Sequence, residues 1–415
     1  MRDFTFLHMA DLHLGSPFRG LSVDDPDTAR RFAQAIRDAV SALVTRAVDE
    51  RVDFVVIAGD VYDREWKDAS VGLFFNREMV RLTQADIPVF LVKGNHDADS
   101  VVTRSVQLPD GVMTFGAAKA TTHVLPALGV AIHGQSYRDR AAPDNLARLY
   151  PAAKPGHFNI GVLHTSLGGS AEHGDYAPCS PEDLVAKSYD YWALGHIHKP
   201  QVVRRDAPPI VYPGNVQGRS VRETGPRGAM LVRVRDGGVE LEPWTADRVR
   251  WAVAEVSVDG IESFDTEAPS LVEKAVRAVV ADAGARPTAL RVHLTGRTVE
   301  HGRMVAEEDE VRALVAAAAA RVSPDVWLEK VKLRTAPPAS GPSLVPDLPG
   351  ELDLDALLDA VASDEAFRGS LDADRAQLLG KLPPAPQDGN ADDEFAREAV
   401  LREARALLSA RLGST

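Results

Sequence analysis

The sequence predicts an α/β protein built in layers, and three observations carry that expectation. Short apolar runs rich in Val, Ile, Leu and Phe recur through the first 245 residues, and each ends in a polar cluster. Runs of this kind read as strands buried on both faces. Between them lie segments whose apolar residues repeat at helical spacing, and strands alternating with helices give sheets covered by helices. The length of 415 residues leaves room for two or three domains at ~100–200 residues each.

Taken in order, strands are read at Phe4–Ala10, Phe54–Ala58, Pro88–Val92, Asn159–Leu163, Tyr191–Leu194 and Pro209–Val211. The helix from Asp27 to Glu50 places Phe32, Ile36, Val40, Leu43, Val44 and Ala47 on one face, and Ala69 to Leu82 behaves similarly. These elements make a first domain over 1–245. A second, over 246–335, reads as strand 250–258, helix 268–283, strand 288–295, helix 306–322 and strand 325–334, a small α/β cap without a cluster of ligand-type residues. Residues 336–350, with Pro337, Pro338, Gly341, Pro342, Pro346 and Pro349, read as a linker. The remainder, 351–415, is an acidic helical tail and a candidate docking segment: helical stretches at 351–379 and 392–412 are split by Pro383, Pro384 and Pro386. Leu401, Ala404, Leu408 and Leu412 share one face of the last helix.

Composition narrows the function classes. The single Cys179 excludes an internal disulfide framework and a thiolate zinc site, and its neighbours Pro178, Ser180 and Pro181 read as a loop. No apolar run approaches the ~20 residues of a membrane span, and the opening residues lack the parts of a secretory signal, so a cytoplasmic location is expected. Net charge is −13, of which the tail, with 14 acidic against 7 basic residues, contributes −7. That balance argues for weak unassisted affinity for nucleic acid, since phosphate neutralisation drives such binding.

The chemistry sits where the apolar runs stop. They end in Ala10-Asp11-Leu12-His13, Gly59-Asp60, Gly94-Asn95-His96-Asp97, Leu163-His164-Thr165 and Gly195-His196-Ile197-His198. Ligands of open α/β sheets bind at the carboxyl ends of strands, so these clusters are expected to converge on one rim. The donor set of carboxylates, imidazoles and one amide oxygen suits Mn, Fe or Zn. It exceeds the needs of one ion, and two ions roughly 3.5–4 Å apart sharing a carboxylate would use it fully. Gly59, Gly94 and Gly195 each precede a ligand, where a sharp backbone turn is expected. Any one piece is ordinary: a lone Gly-Asp is usually a turn, and a lone His-x-His is usually structural. Arg219 and Arg222 follow a Pro-Gly-Asn turn and are candidate phosphate contacts, against the plainer reading of solvated arginines. His8 reads as packed or hydrogen-bonded, and His133, ending the run Val130–Ile132, is the best outsider candidate.

The order Asp-x-His, Gly-Asp, Gly-Asn-His-Asp, His, Gly-His-x-His resembles that of the calcineurin-like metallophosphoesterases. Residues 8–20 (HMADLHLGSPFRG), 193–199 (ALGHIHK) and 212–219 (YPGNVQGR) are similar to the DNA-repair exonuclease branch of that family, which holds the SbcD nuclease subunits and the YhaO proteins. The resemblance covers about the first 235 residues. It implies an αββα sandwich, followed by a small α/β cap and a helical C-terminal tail. It also implies a ligand set: Asp11, His13 and His198 on one divalent ion, Asn95, His164 and His196 on the other, and Asp60 bridging. His96 would face the scissile phosphate and Asp97 would orient it. Some members of the branch carry a His where this chain has Asp63, so no substrate contact is assigned to Asp63.

The activity implied is that of a DNA nuclease, a 3′-to-5′ exonuclease of repair and recombination. It would use two Mn²⁺ ions and a metal-activated hydroxide to hydrolyse phosphodiester bonds. The partners implied are DNA and a separate coiled-coil, SbcC-like ATPase, in keeping with the lack of a Gly-x-x-x-x-Gly-Lys-Ser/Thr loop in this sequence; a homodimer is left open. Two other readings compete. One keeps the chemistry but makes the substrate a small-molecule or other phosphoester. The other makes the chain a scaffold with a structural metal site, against which the non-ligand His96 argues.

Overall fold

The structure is a computed structural model that describes residues 2–16, 26–63, 69–99, 107–139, 144–168, 177–284, 286–338, 354–381 and the single positions 400, 401, 404 and 408. By internal contacts it divides into two compact units, Met1–Trp251 and Ala252–Thr415.

The first unit holds two six-stranded sheets. In one, β1 (Phe4–Met9), β2 (Phe54–Ala58), β3 (Val89–Val92) and β4 (Val112–Thr114) run parallel, and β11 (Gly228–Arg235) and β12 (Gly238–Thr245) extend them antiparallel beside β1. In the other, β6 (Val130–Gly134), β7 (Phe158–His164), β8 (Tyr191–Gly195) and β10 (Ile210–Tyr212) run parallel between antiparallel edges β5 (Thr121–Leu125) and β9 (Gln201–Arg204). Every expected strand is present, displaced by at most a residue or two. The β11–β12 hairpin was not among the strands read from the sequence. It closes through Asp236 and Gly237, both at positive φ, the backbone of an Asp-Gly hairpin turn.

Period-two alternation explains the layering. Phe4, Phe6 and Ala10 join Phe54, Val56 and Phe90 against Val130, Ile132, Ile160, Val162 and Tyr191 of the other sheet, so the two sheets pack face to face. Leu7 and Met9, on the opposite face of β1, join Val55, Ile57 and Leu91 under helices α1 (Pro26–Asp49) and α2 (Ala69–Gln84). The outer face of the second sheet, with Leu163, Trp192, Leu194 and Tyr212, packs on Ala147, Tyr150 and Leu184. The result is an αββα sandwich in which the strands are apolar on both faces.

The second unit has a three-stranded sheet, β13 (Arg250–Ser257), β14 (Thr288–Arg297) and β15 (Val326–Ala336), with β14 parallel to β15. Leu290, Val292 and Leu294 alternate onto its core with Val272, Val276, Val311 and Val315 of the covering helices. The first of those helices, Phe264–Ala283, starts four residues before its expected position, because Glu267 Oε1 accepts from the backbone nitrogens of Glu262 and Ser263 and closes the first turn. The tail forms helices at Leu354–Ser363 and Glu365–Lys381, parted where Asp364 Oδ1 accepts from Phe367 N at 2.8 Å. Most of the linker and of the final expected helix lie outside the described residues. Among the described residues, no helix is long and apolar enough to cross a membrane.

Candidate metal centre

The strand ends meet. Beyond β1 and β2 the two chains stay paired, with Asp11 N bonded to Gly59 O and His13 N to Asp60 O, each at 3.0 Å. Across the sandwich, His196 N donates to both Asp11 carboxylate oxygens at 3.1 and 3.0 Å, and His164 Nδ1 donates to Ala58 O at 2.9 Å. The carboxyl ends of β1 and β2 are thereby joined to those of β7 and β8. Tyr137 and Tyr212 pin the end of β7 by donating to His164 O and Thr165 O at 2.6 and 2.9 Å.

Three overlapping groups of ligand atoms result: Asp11/His13/His198, His13/Asp60/His96 and Asp11/Asp60/His164, each group lying within 4.8 Å of one another. Asp60 is central, with Oδ2 at 3.4 Å from His164 Nε2, 3.9 Å from His13 Nε2 and 4.0 Å from His96 Nε2. Asn95 Oδ1 lies 3.0 Å from His164 Nε2. The ring of His196 stands edge-on to His164, 5.2 Å between centroids. Asp11, His13, Asp60, Asn95 and His164 are buried, while the His96 and His198 side chains keep 21% and 26% exposure and form the open side.

These donors fit divalent cations. His164 must donate from Nδ1, because a carbonyl only accepts, so Nε2 is the atom turned toward Asn95 Oδ1 and the Asp60 carboxylate, and without a proton or a cation there its lone pair would face theirs. Burial disfavours an imidazolium there, yet the carboxylates of Asp60 and Asp11 outweigh it and hold the pKa up at about 9. A place where three electron-pair donors face one another is one that favours positive charge. His13 Nε2 and His198 Nε2 likewise approach to 3.0 Å. Burial pushes the Asp11 carboxyl up, a penalty that a bound cation would offset.

The glycines serve differently from expectation. Gly59 has positive φ, as a sharp turn requires, but Gly94 and Gly195 do not. What those two supply is room: a Cβ on Gly94 would lie 2.3 Å from Asp60 Oδ1, and one on Gly195 would lie 1.9 Å from Ala58 O. The left-handed backbone is instead taken by Asp11, His13, Asp60 and His196 themselves.

Two expected roles change. Asp97, expected to orient His96, instead accepts from the backbone nitrogens of Val61, Tyr62 and Gly94 at 3.0–3.2 Å and braces the loops after β2 and β3. The residue that holds His96 is Asp63, with Oδ1 at 3.0 Å from His96 Nδ1. Arg219 and Arg222 separate: Arg222 is exposed, whereas Arg219 is 17% exposed and ion-paired with Glu223 at 3.0 Å. Glu223 was missed by sequence reading, and its only signal is its position four residues after Arg219. His8 is confirmed as core, donating from Nε2 to Leu194 O at 3.1 Å and lying 3.0 Å from Tyr191 Oη. His133 is also structural, bonded to Thr122 Oγ1 and Asn159 Oδ1 and stacked on Tyr189.

Residues 4–200 match the family model for calcineurin-like phosphoesterases, and residues 251–336 match that for the middle domain of metallophosphoesterase YhaO. The segment 4–200 is a calcineurin-like metallophosphoesterase domain. The chain is 38% identical over 261 residues to the uncharacterized metallophosphoesterase YhaO of Bacillus subtilis, covering 62% of this chain and 64% of YhaO. It is 28% identical over 249 residues to the DNA double-strand break repair protein Mre11 of Archaeoglobus fulgidus, covering 56% and 53% of the two chains. With Mre11 of Aeropyrum pernix it shares 32% over 251 residues, covering 54% and 56%. The chain thus spans less than two thirds of the length of these relatives.

Proposed function

We propose that the chain is a dinuclear metal-dependent DNA nuclease, a 3′-to-5′ exonuclease acting with two Mn²⁺ ions in DNA repair and recombination. The observation that carries this reading is the set of overlapping Asp/His ligand groups, buried except for His96 and His198 at its open side. The relatives named for DNA double-strand break repair support DNA as the substrate. Divalent cations, when bound, supply Lewis-acid polarisation of a phosphoryl oxygen and activation of water. Asp11, His13 and His198 would hold one, Asn95, His164 and His196 the other, and Asp60 would serve both.

His96 is the proposed catalytic residue. Asp63 fixes its Nδ1 side, which turns Nε2 toward the ligand cluster, 4.0 Å from Asp60 Oδ2. There Nε2 can position the phosphate or serve the leaving oxygen. Asp97 acts at one remove, by holding three backbone nitrogens of the ligand loops.

We read 1–245 as the hydrolase domain, 246–335 as a cap that positions substrate and 351–415 as the segment that docks a coiled-coil, SbcC-like ATPase. Exposed Leu357, Val361 and Phe367 among acidic residues of the tail helices support the last assignment. Changing all three to Ser should leave hydrolysis of a small diester intact and abolish co-elution with such an ATPase; unchanged co-elution would remove the tail from the proposal.

The deciding experiment incubates the purified protein and Mn²⁺ with end-labelled single- and double-stranded DNA, beside a chromogenic phosphodiester. Stepwise shortening from 3′ ends is expected. Cleavage of the chromogenic diester without any cleavage of DNA would replace the nuclease by a phosphodiesterase for small substrates.

A further inference from the structure

Behind His198 lies a carboxylate that takes no part in the mechanism above. Glu223 Oε1 is 2.7 Å from His198 Nδ1, and its side chain is 12% exposed. Its remaining lone pairs are occupied: Arg219 Nη2 donates to Oε1 at 3.0 Å, while Oε2 accepts from Arg219 N at 2.7 Å and from Asn215 Nδ2 at 2.9 Å. The main chain of His198 is clamped by other groups, since His198 O accepts from Asn215 N and from Arg227 Nη1. The ring's tautomer is therefore the feature left to Glu223. Arg219 Nη2 also lies 3.1 Å from Nδ1, but that nitrogen donates to Glu223 Oε1 at 3.0 Å and the shorter contact of Nδ1 is to the carboxylate. A lone pair on Nδ1 at 2.7 Å from a carboxylate oxygen would be repelled, so Nδ1 carries the proton and Nε2 presents its lone pair to the ligand cluster.

We infer that Glu223 is a positioning residue that fixes the tautomer of His198 and strengthens its Nε2 as a ligand for one of the two cations. The inference rests on the dinuclear reading of the site. It also makes the two cation positions unequal. His164 donates its Nδ1 proton to a neutral backbone carbonyl, that of Ala58, whereas His198 donates to a carboxylate. The second arrangement puts more electron density on the ligating nitrogen. Loss of the Glu223 charge should then weaken one metal-binding step and spare the other.

The test uses the full chain in three forms: wild type, Glu223→Gln and Glu223→Ala. Mn²⁺ binding is measured by calorimetry. The tautomer of His198 is read by NMR on metal-free, histidine-labelled protein, with its signals assigned by their loss in His198→Asn. In Glu223→Ala one of the two binding steps should weaken by roughly 10–100-fold, and the His198 proton should shift away from Nδ1. Glu223→Gln retains an acceptor oxygen but no charge, so it should keep the tautomer and show an intermediate loss of affinity. Wild-type affinity at both steps in Glu223→Gln, or an unchanged tautomer in a folded Glu223→Ala, would overturn the inference; should Glu223→Ala fail to fold, the Gln variant decides alone. Wild-type protein binding fewer than two ions would instead remove the dinuclear reading, while the tautomer measurement would still judge Glu223.

Discussion

Gly195→Ala isolates the demand that the ligand loops approach one another closely. The backbone at Gly195 lies outside the left-handed region, so alanine meets no conformational penalty there, and the cost is steric. Its Cβ would sit 1.9 Å from Ala58 O and 3.0 Å from His164 Nδ1. An ordinary carbon–oxygen contact is about 3.3 Å, so the end of β8 must retreat from β2 by more than about 1 Å, or Ala58 O must turn away from His164. Overpacking of this kind costs roughly 1–3 kcal/mol, and an unmet buried hydrogen bond adds about 1–3 kcal/mol. Displacing a ligand by about 1 Å is worth on the order of 100-fold in rate. Gly195→Ala should therefore lower the melting temperature by several degrees, weaken Mn²⁺ binding and cut phosphodiester hydrolysis by about 100-fold. Gly116→Ala is the control, because a Cβ there meets no heavy atom within 4 Å and the backbone is not left-handed. Wild-type metal affinity and turnover in Gly195→Ala would refute the close-approach argument.

Other outcomes follow from the same geometry. His96→Ala should lose most turnover but retain its metal content, whereas Asp60→Ala should lose metal, because Asp60 stands among His13, His96 and His164; elemental analysis of the purified variants separates the two. His8 supplies a pH dependence. Burial pulls its pKa from 6.5 down to about 3, so its contribution to stability is complete above pH 6.5 and is lost as pH falls toward 3. At ~1.36 kcal/mol per unit, the loss is on the order of 3 kcal/mol by pH 4.5. Denaturant unfolding of metal-free wild type and His8→Gln at pH 7 and 4.5 should show the wild type losing about that much more than the variant; a difference between them that does not change with pH would show that His8 is not held neutral.

What was legible in the sequence was the set of residues whose chemistry is restrictive. Only a few side chains bind divalent cations, and placing them at the ends of apolar runs ties each to a strand terminus, so Asp11, His13, Asp60, Asn95, His164, His196 and His198 could be named as candidate ligands from the sequence alone. The sandwich was legible for the same reason, since strands buried on both faces must be apolar at consecutive positions. The supporting partners were not legible. Any acceptor can orient an imidazole: Ala58 O does so for His164, Glu223 for His198 and Asp63 for His96. The first is a backbone atom with no sequence signal, and the second is 25 residues from its partner. Asp97 shows the converse error. Adjacency suggested that it orients His96, but neighbouring residues on one short helical turn point in different directions, and its carboxylate turns to the backbone nitrogens of the two loops.

That bracing has a thermodynamic purpose. Asp11, His13, Asp60 and His196 are all non-glycine residues with positive φ, a conformation costing of order 1–3 kcal/mol each when held against preference. Four such residues in one site would together cost as much as a typical domain's net stability of about 5–15 kcal/mol if nothing offset them. The offsets are visible: the loops after β1 and β2 bond to each other through Asp11 N, His13 N and Leu14 N, Asp97 ties the second loop to the third, and Asp11 ties the first to the loop after β8. With the ligands already held in place, bound cations need not supply the energy to order the loops. The site should consequently keep its shape without metal, and removing metal from this protein should lower its melting temperature without unfolding it at room temperature. Loss of secondary structure at 25 °C on treatment with a chelator would show instead that the loops are ordered by the ions.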